Sequence, residues 1–282
     1  GGGPHVFFTG LGCLRSASDA GIVVRSNLKS IHATSSGSIV AIAYLLDYPW
    51  SDIEDYIINR PWNDSLAKTI FSGMGSKSTG MDPVAVVGII LNKLLDGKYL
   101  SRSITLDEFY KHSGVELNIV TTEVYVGETI SQTVLNHKTF PELSLVRAVA
   151  MSCSIPMMFQ PVEHEGCLYI DGGFTNNYPI NNIDSPASEI LGIGRRDDNR
   201  DMGISELTGC KAKFANFVLA RLVRGLVCSK IAGWEYLLDS SASTALETWL
   251  TALISSDTRE KLYTEGKEIS PLVCEENRSG TA

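Results

Sequence analysis

The sequence predicts an α/β fold, with helices packed around a sheet, and three observations carry that prediction. First, residues 28–46 run from a short, partly apolar segment through the small residues Ala33-Thr34-Ser35-Ser36-Gly37-Ser38 into an uninterrupted helical run, Ile39 to Leu46. Second, stretches that read as strands (115–124, rich in β-branched residues, and the apolar runs 167–170 and 190–194) alternate with helical runs (83–95, 103–114, 144–152, 213–230). That alternation is the order in which α/β domains are built. Third, no repeat and no linker divides the chain, so residues 1–282 are expected to form a single domain.

Composition narrows the function classes. A chain of 282 residues with 44% hydrophobic content buries a large core. The net charge of −8 and pI near 5.2 argue against a nucleic-acid binder, which needs a basic face. Cysteines 13, 153, 167, 210, 228 and 274 form no C-x-x-C pair and sit mostly inside apolar runs. They read as reduced thiols of a cytosol-like compartment, with neither a disulfide framework nor a zinc site. The longest apolar run, Val84–Leu95, is too short to span a bilayer and is broken by Asn92 and Lys93. No transmembrane segment is expected, though contact with a membrane surface stays open. No signal peptide is visible, and the abrupt start at Gly1-Gly2-Gly3 raises the expectation of residues before it.

In chain order, Gly1-Gly2-Gly3 reads as a glycine loop followed by a helix. Three glycines let several backbone N–H groups point at one spot, which suits an oxyanion or a phosphate. A dinucleotide fingerprint would need a preceding strand and an acidic strand end about 20 residues on; an oxyanion loop needs only a nucleophile nearby in space. The stretch around Ser35 has the strand–turn–helix pattern of a nucleophile elbow, with Ser35 as candidate nucleophile and Ala33, Gly37 as its small neighbours. A plain tight turn between strand and helix is the alternative.

Residues 47–65 predict a turn and a short helix capped by Ser51. The region 66–100 is a glycine- and serine-rich loop followed by a helix from Asp82-Pro83 to Leu95, and reads as a mobile cap or as surface loop and core helix. A helix over 103–114 ends at Gly114; a strand follows over 115–124, with a second over 128–135 after the Val126-Gly127 turn. The apolar helix 144–152 leads to the small cluster Ser152-Cys153-Ser154, and Pro156 forces an extended exit. A strand over 167–170 runs into Asp171-Gly172-Gly173, with Asn176 and Asn177 to order the loop. An aspartate at a strand's C-terminal end is a site-building position, although a plain Asp-Gly turn is the commoner meaning. After the strand 190–194, Lys213–Lys230 is an amphipathic helix that covers the sheet or meets lipid, and 234–253 and 257–268 are expected as closing helices.

Taken in order, the glycine loop, the elbow at Ser35 and Asp-Gly-Gly, whose Asp171 lies 136 positions after the serine, resemble the patatin-like phospholipase family. E-L-N-I-V-T-T-E-V, S-C-S-I-P-M-M-F-Q-P-V and Y-I-D-G-G-F-T-N-N-Y-P look like family segments in family order, so the resemblance covers 1–194, with a looser helical part over 204–270. It implies a three-layer α/β/α domain around a mostly parallel sheet. It also implies a lipid acyl hydrolase of phospholipase A or lysophospholipase type, acting on phospholipid or another acyl-ester lipid at a membrane or micelle surface. Ser35 would be the nucleophile and Asp171 its base; Gly1, Gly2, Gly3 and Ser36 would supply the oxyanion hole; Ala33, Gly37, Gly172, Gly173 and Asn177 would support the turns. No metal ligand and no cofactor is implied. The family uses no histidine, so His5 and His32, though near the two motifs in sequence, are expected to be structural. The sequence departs from the family pattern in two places: His5 and Val6 stand where a basic residue and a glycine are usual, and Ala33 replaces the first elbow glycine. They keep a second class in play, a module that binds lipid or a partner without turnover.

Overall fold

The structure, a computed structural model, describes residues 1–62, 80–125, 130–195, 232–238, 251–252 and 254–273. Helix α1 (Gly3–Asp19) starts at the glycine loop with Gly2 as N-cap and Pro4 in its first turn, where a missing N–H costs nothing. Strand β1 (Ser30–Thr34) follows, then α2 (Ser36–Leu45), which is buried along nearly its whole length. Helix α3 (Trp50–Glu54) runs into a π turn, Asp55–Asn59. Its N-cap is Pro49, with no side-chain cap, so the expected Ser51 cap is corrected: Ser51 lies inside the first turn and its hydroxyl reaches Asp52 instead.

Helix α4 (Pro83–Gly97) is capped by Asp82, whose carboxylate accepts from the Val84 N–H at 2.9 Å. Val87, Leu91, Leu94 and Leu95 bury one face of it in the main core, so this part of 66–100 is a core helix. The loop of the expected cap lies outside the described residues. A capping box, Thr105 with Glu108, opens α5 (Leu106–Ser113), and Gly114 in the left-handed region closes it. Then come β2 (Glu116–Val124), β3 (Ile130–Leu135), the apolar α6 (Leu145–Cys153), β4 (Val162–His164) and β5 (Cys167–Asp171). The C-terminal elements are β6 (Leu191–Arg195), β7 (Trp234–Leu238), α7 (Ser256–Glu268) and β8 (Leu272–Val273).

The α/β class and the helices around the sheet are as expected, whereas strand direction is mixed. One sheet has the order β1-β2-β5-β4, with β3 also on β2; the other has the order β6-β7-β8. Only β1–β2 and β6–β7 run parallel among the described pairs. The reason is connection length. Strand β4 returns as β5 through the tight turn at Glu165-Gly166, both at positive φ, and such short links force antiparallel pairing. A second correction concerns 234–238. W-E-Y-L-L is a strand and not the start of a closing helix: Tyr236 and Leu238 point inward at period two, and the segment pairs with β6. The expected helix 213–230 lies outside the described residues.

Register explains what the sheet positions. Strand β1 occupies one edge of β2 over Glu116–Val120, and β5 takes up the same edge over Thr121–Val124, because β3 holds the opposite edge over Ile119–Val124, overlapping both. The strands therefore meet tip to tip. Thr34 pairs with Val120 and Asp171 with the next residue, Thr121. Chain ends that are 136 positions apart, at Ser35 and Asp171, converge there.

Helices α1 and α7 cross backbone to backbone. A Cβ on Gly266 would stand 2.0 Å from the Thr9 carbonyl oxygen, and one on Gly12 2.1 Å from that of Tyr263. Both obstacles are main chain, so the helices would have to separate. Gly266→Val is expected to destabilise the fold by about 1–3 kcal/mol, a drop of several degrees in thermal midpoint; an unchanged midpoint in scanning calorimetry would refute this packing.

Candidate active site

Ser35 is the N-cap residue of α2, held at φ 52 and ψ −129. A non-glycine residue pays about 1–3 kcal/mol to sit in such a region, and persists there only if its surroundings over-determine it. Strand β1 enters from one side and α2 leaves on the other, so Oγ stands at the turn, where an elbow places a nucleophile. Ala33, which replaces the usual glycine, lies in β1 opposite Ile119 and has ordinary strand dihedrals, so its methyl group is accommodated in the buried strand.

Asp171 ends β5 and caps the 3-10 turn Gly172–Phe174. Its Oδ1 accepts the Gly173 N–H at 2.8 Å and its Oδ2 accepts the Ser35 hydroxyl at 2.7 Å. Thr122 Oγ1 donates to its main-chain carbonyl at 3.0 Å. The two side chains are almost fully enclosed, Ser35 at 5% and Asp171 at 2% exposure. Burial pushes the Asp171 carboxyl up to about 6, against the opposing pull of the Gly173 N–H and the Ser35 hydroxyl. Gly172 is required by close approach: a Cβ there would lie 2.2 Å from the Val120 carbonyl oxygen.

The glycine loop reaches the same place. A Cβ built on Gly37 would have the Gly1 nitrogen as its nearest neighbour, at 3.9 Å. Asn177 clamps the loop from both sides, its carbonyl accepting from the Gly1 nitrogen at 3.0 Å and its Nδ2 donating to the Gly1 carbonyl at 3.5 Å. Gly2 and Gly3 lie at positive φ where α1 begins, and Ser36 begins α2. The first N–H groups of a helix have no partner within it, and the helix end is electropositive. Of the two histidines, His32 lies on β1 with Nε2 3.4 Å from Asn118 Nδ2, away from the hydrogen bonds of Ser35 and Asp171. The side chain of His5 lies outside the described residues.

One residue escaped sequence reasoning. Ser152, fully buried near the end of α6, accepts the Ser35 N–H at 2.7 Å and donates to the Val120 carbonyl at 2.5 Å. A serine inside the apolar run V-A-M-S was the one available signal. A cavity of about 540 Å³ is lined by residues that include Gly1, Ile31, Thr34, Gly37, Tyr44 and Leu191. Neither Ser35 nor Asp171 lines it, so a bond cleaved at Ser35 would not sit inside it. Among the described residues no cluster of three His, Cys, Asp or Glu side chains could hold a metal, and no helix is long and apolar enough to cross a membrane.

Comparison with known proteins shows what the chain is similar to. The chain is 26% identical over 164 residues to "Probable lipid hydrolase 463L" of Invertebrate iridescent virus 6, covering 57% of this chain and 55% of that protein. It is 27% identical over 201 residues to "Uncharacterized protein R571" of Acanthamoeba polyphaga mimivirus, covering 71% and 65%. The matches thus span little more than half to two thirds of those relatives. Among solved structures, VipD from Legionella pneumophila shares the fold, with a TM-score of 0.51 at 15% identity over 93% of this chain and 65% of that one. A family model described as "Patatin-like phospholipase" matches residues 1–183, which hold the glycine loop, the elbow at Ser35 and the Asp171 turn, and the chain therefore belongs to the patatin-like phospholipase family.

Proposed function

We propose that the protein is a lipid acyl hydrolase that cleaves carboxylic esters of phospholipids or lysophospholipids through Ser35 and Asp171. The observation that carries this reading is the 2.7 Å hydrogen bond from Ser35 Oγ to Asp171 Oδ2 at a buried elbow. Family membership and the likeness to a viral protein named as a probable lipid hydrolase support it.

In this mechanism Oγ attacks the ester carbonyl carbon as its proton passes to Asp171 Oδ2. The tetrahedral oxyanion is held by backbone N–H groups of Gly2, Gly3 and Ser36, each donor contributing on the order of 3 kcal/mol. Collapse expels the alcohol, which takes the proton from Asp171 and leaves an acyl-Ser35 ester. Water then attacks that ester, gives its proton to Asp171, and the fatty acid departs as Ser35 Oγ is reprotonated. A carboxylate raised to about 6 is a stronger base than an ordinary aspartate and is still mostly ionised at neutral pH.

A fluorophosphonate probe tests the reading. It should label the folded protein at Ser35, with the adduct mapped by peptide mass. Asp171 must be deprotonated to act as a base, so the labelling rate should fall as pH drops through about 6, above the usual carboxylate range. Absence of a Ser35 adduct in detergent or lipid micelles would remove the hydrolase reading and leave a lipid-binding module without turnover.

A further inference from the structure

We infer that Ser152 is a positioning residue for the nucleophile: its hydroxyl holds the Ser35 backbone in the conformation that presents Oγ to Asp171. The inference rests on the proposed Ser35–Asp171 chemistry and extends it to a residue outside the motifs. Its basis is connectivity. The Ser152 hydroxyl uses both hydrogen-bonding roles, accepting from the Ser35 N–H at 2.7 Å and donating to the Val120 carbonyl at 2.5 Å. Val120 is the β2 residue opposite Thr34, and the Asp171 turn packs its Gly172 against the same carbonyl. One buried hydroxyl therefore fastens the elbow to the strand atom beneath both reacting side chains.

A hydroxyl is well suited to this place. Ser35 N–H is buried at a strained residue, past the last β1–β2 pair in the described register, so a ladder partner is replaced by a side chain. The acceptor must also satisfy the Val120 carbonyl, which needs a donor. Without it the Ser35 N–H would turn toward another acceptor, and the φ of 52 that aims Oγ would relax.

The test compares Ser152→Ala with Ser154→Ala, both scored by the rate of fluorophosphonate labelling at Ser35 and by kcat and KM on a micellar acyl ester. Ser154 is equally buried on the same chain segment, but its hydroxyl turns back to the Ala150 carbonyl at 2.6 Å. Ser152→Ala is expected to lower labelling rate and kcat on the order of 10²-fold, with KM and the acid limb near pH 6 unchanged. Ser154→Ala should lose comparable thermal stability with labelling close to wild type. Should Ser152→Ala not fold, Ser152→Cys keeps the volume and a weak donor and acceptor, and an intermediate labelling rate is expected. Equal labelling of wild type and a folded Ser152 variant would overturn the positioning role and leave the hydrolase reading standing. An unlabelled wild type would overturn the hydrolase reading itself.

Discussion

Alanine in place of Ser35 is expected to lower ester hydrolysis on the order of 10⁴–10⁶-fold while the protein stays folded. The size of the effect follows from the proposed chemistry. Without Oγ no acyl-enzyme forms, and the remaining donors around Gly2, Gly3 and Ser36 could only assist direct attack by water. The fold survives because the truncated atom interacts only with neighbouring side chains, Asp171 and Cys153, and carries none of the core packing. Its N–H to Ser152 is main chain and is retained. The measurement is turnover of a micellar phospholipid with fatty-acid release, beside a thermal melt. Activity within tenfold of wild type would show that Ser35 is not the nucleophile.

Asp171→Asn should move activity and stability in opposite directions. The amide has nearly the shape of the carboxylate: its oxygen can accept from Gly173 N–H and its nitrogen can donate to Ser35 Oγ. It cannot take the Ser35 proton, so hydrolysis is expected to fall about 10²–10⁴-fold. Stability follows from linkage. The folded-state value is raised from 3.8 to about 6, so the folded protein binds the Asp171 proton more tightly than the unfolded chain does. Stability from this group is present below about pH 4 and is lost as pH rises through 6. At neutral pH the buried charge therefore costs about 3 kcal/mol, and the neutral amide removes that cost. Asp171→Asn should melt several degrees higher than wild type at pH 7.5, with the gain shrinking toward zero near pH 4. A lower melting point at neutral pH would contradict the burial-driven shift. Such a trade of stability for reactivity is common where a charged group must be kept away from water.

The candidate site was legible in the sequence because its parts are local. An elbow needs small residues at fixed offsets from the serine, and the Asp171 turn needs Gly172 because Val120 stands where a Cβ would be. Both requirements leave a mark within a few residues. Ser152 stood out only as a serine in an apolar run: its partners, Ser35 and Val120, are 117 and 32 positions away, and such a serine carries no signal of what it faces. Strand direction was misjudged for a related reason. Alternating β-branched residues identify a strand but say nothing of its neighbour, and the tight β4–β5 link made that pair antiparallel. In 234–238 a short apolar run was equally compatible with helix and strand until pairing with β6 settled it.

By itself the sequence determined the α/β class, the small-residue strand–turn–helix pattern at Ser35, the start of α4 at Asp82-Pro83 and the end of α5 at Gly114, while the pairing of Ser35 with Asp171 was implied only by the family resemblance. The local features are consequences of local sterics and of hydrophobic period, which act over a turn or two of chain. Tertiary structure alone decided that β1 and β5 share one edge of β2, placing Thr34 and Asp171 opposite consecutive residues. It also decided that Asp171 is enclosed enough for burial to raise its carboxyl to about 6, and that a serine on α6 accepts the Ser35 N–H. Burial and register depend on what the rest of the chain brings alongside, and no local pattern encodes that.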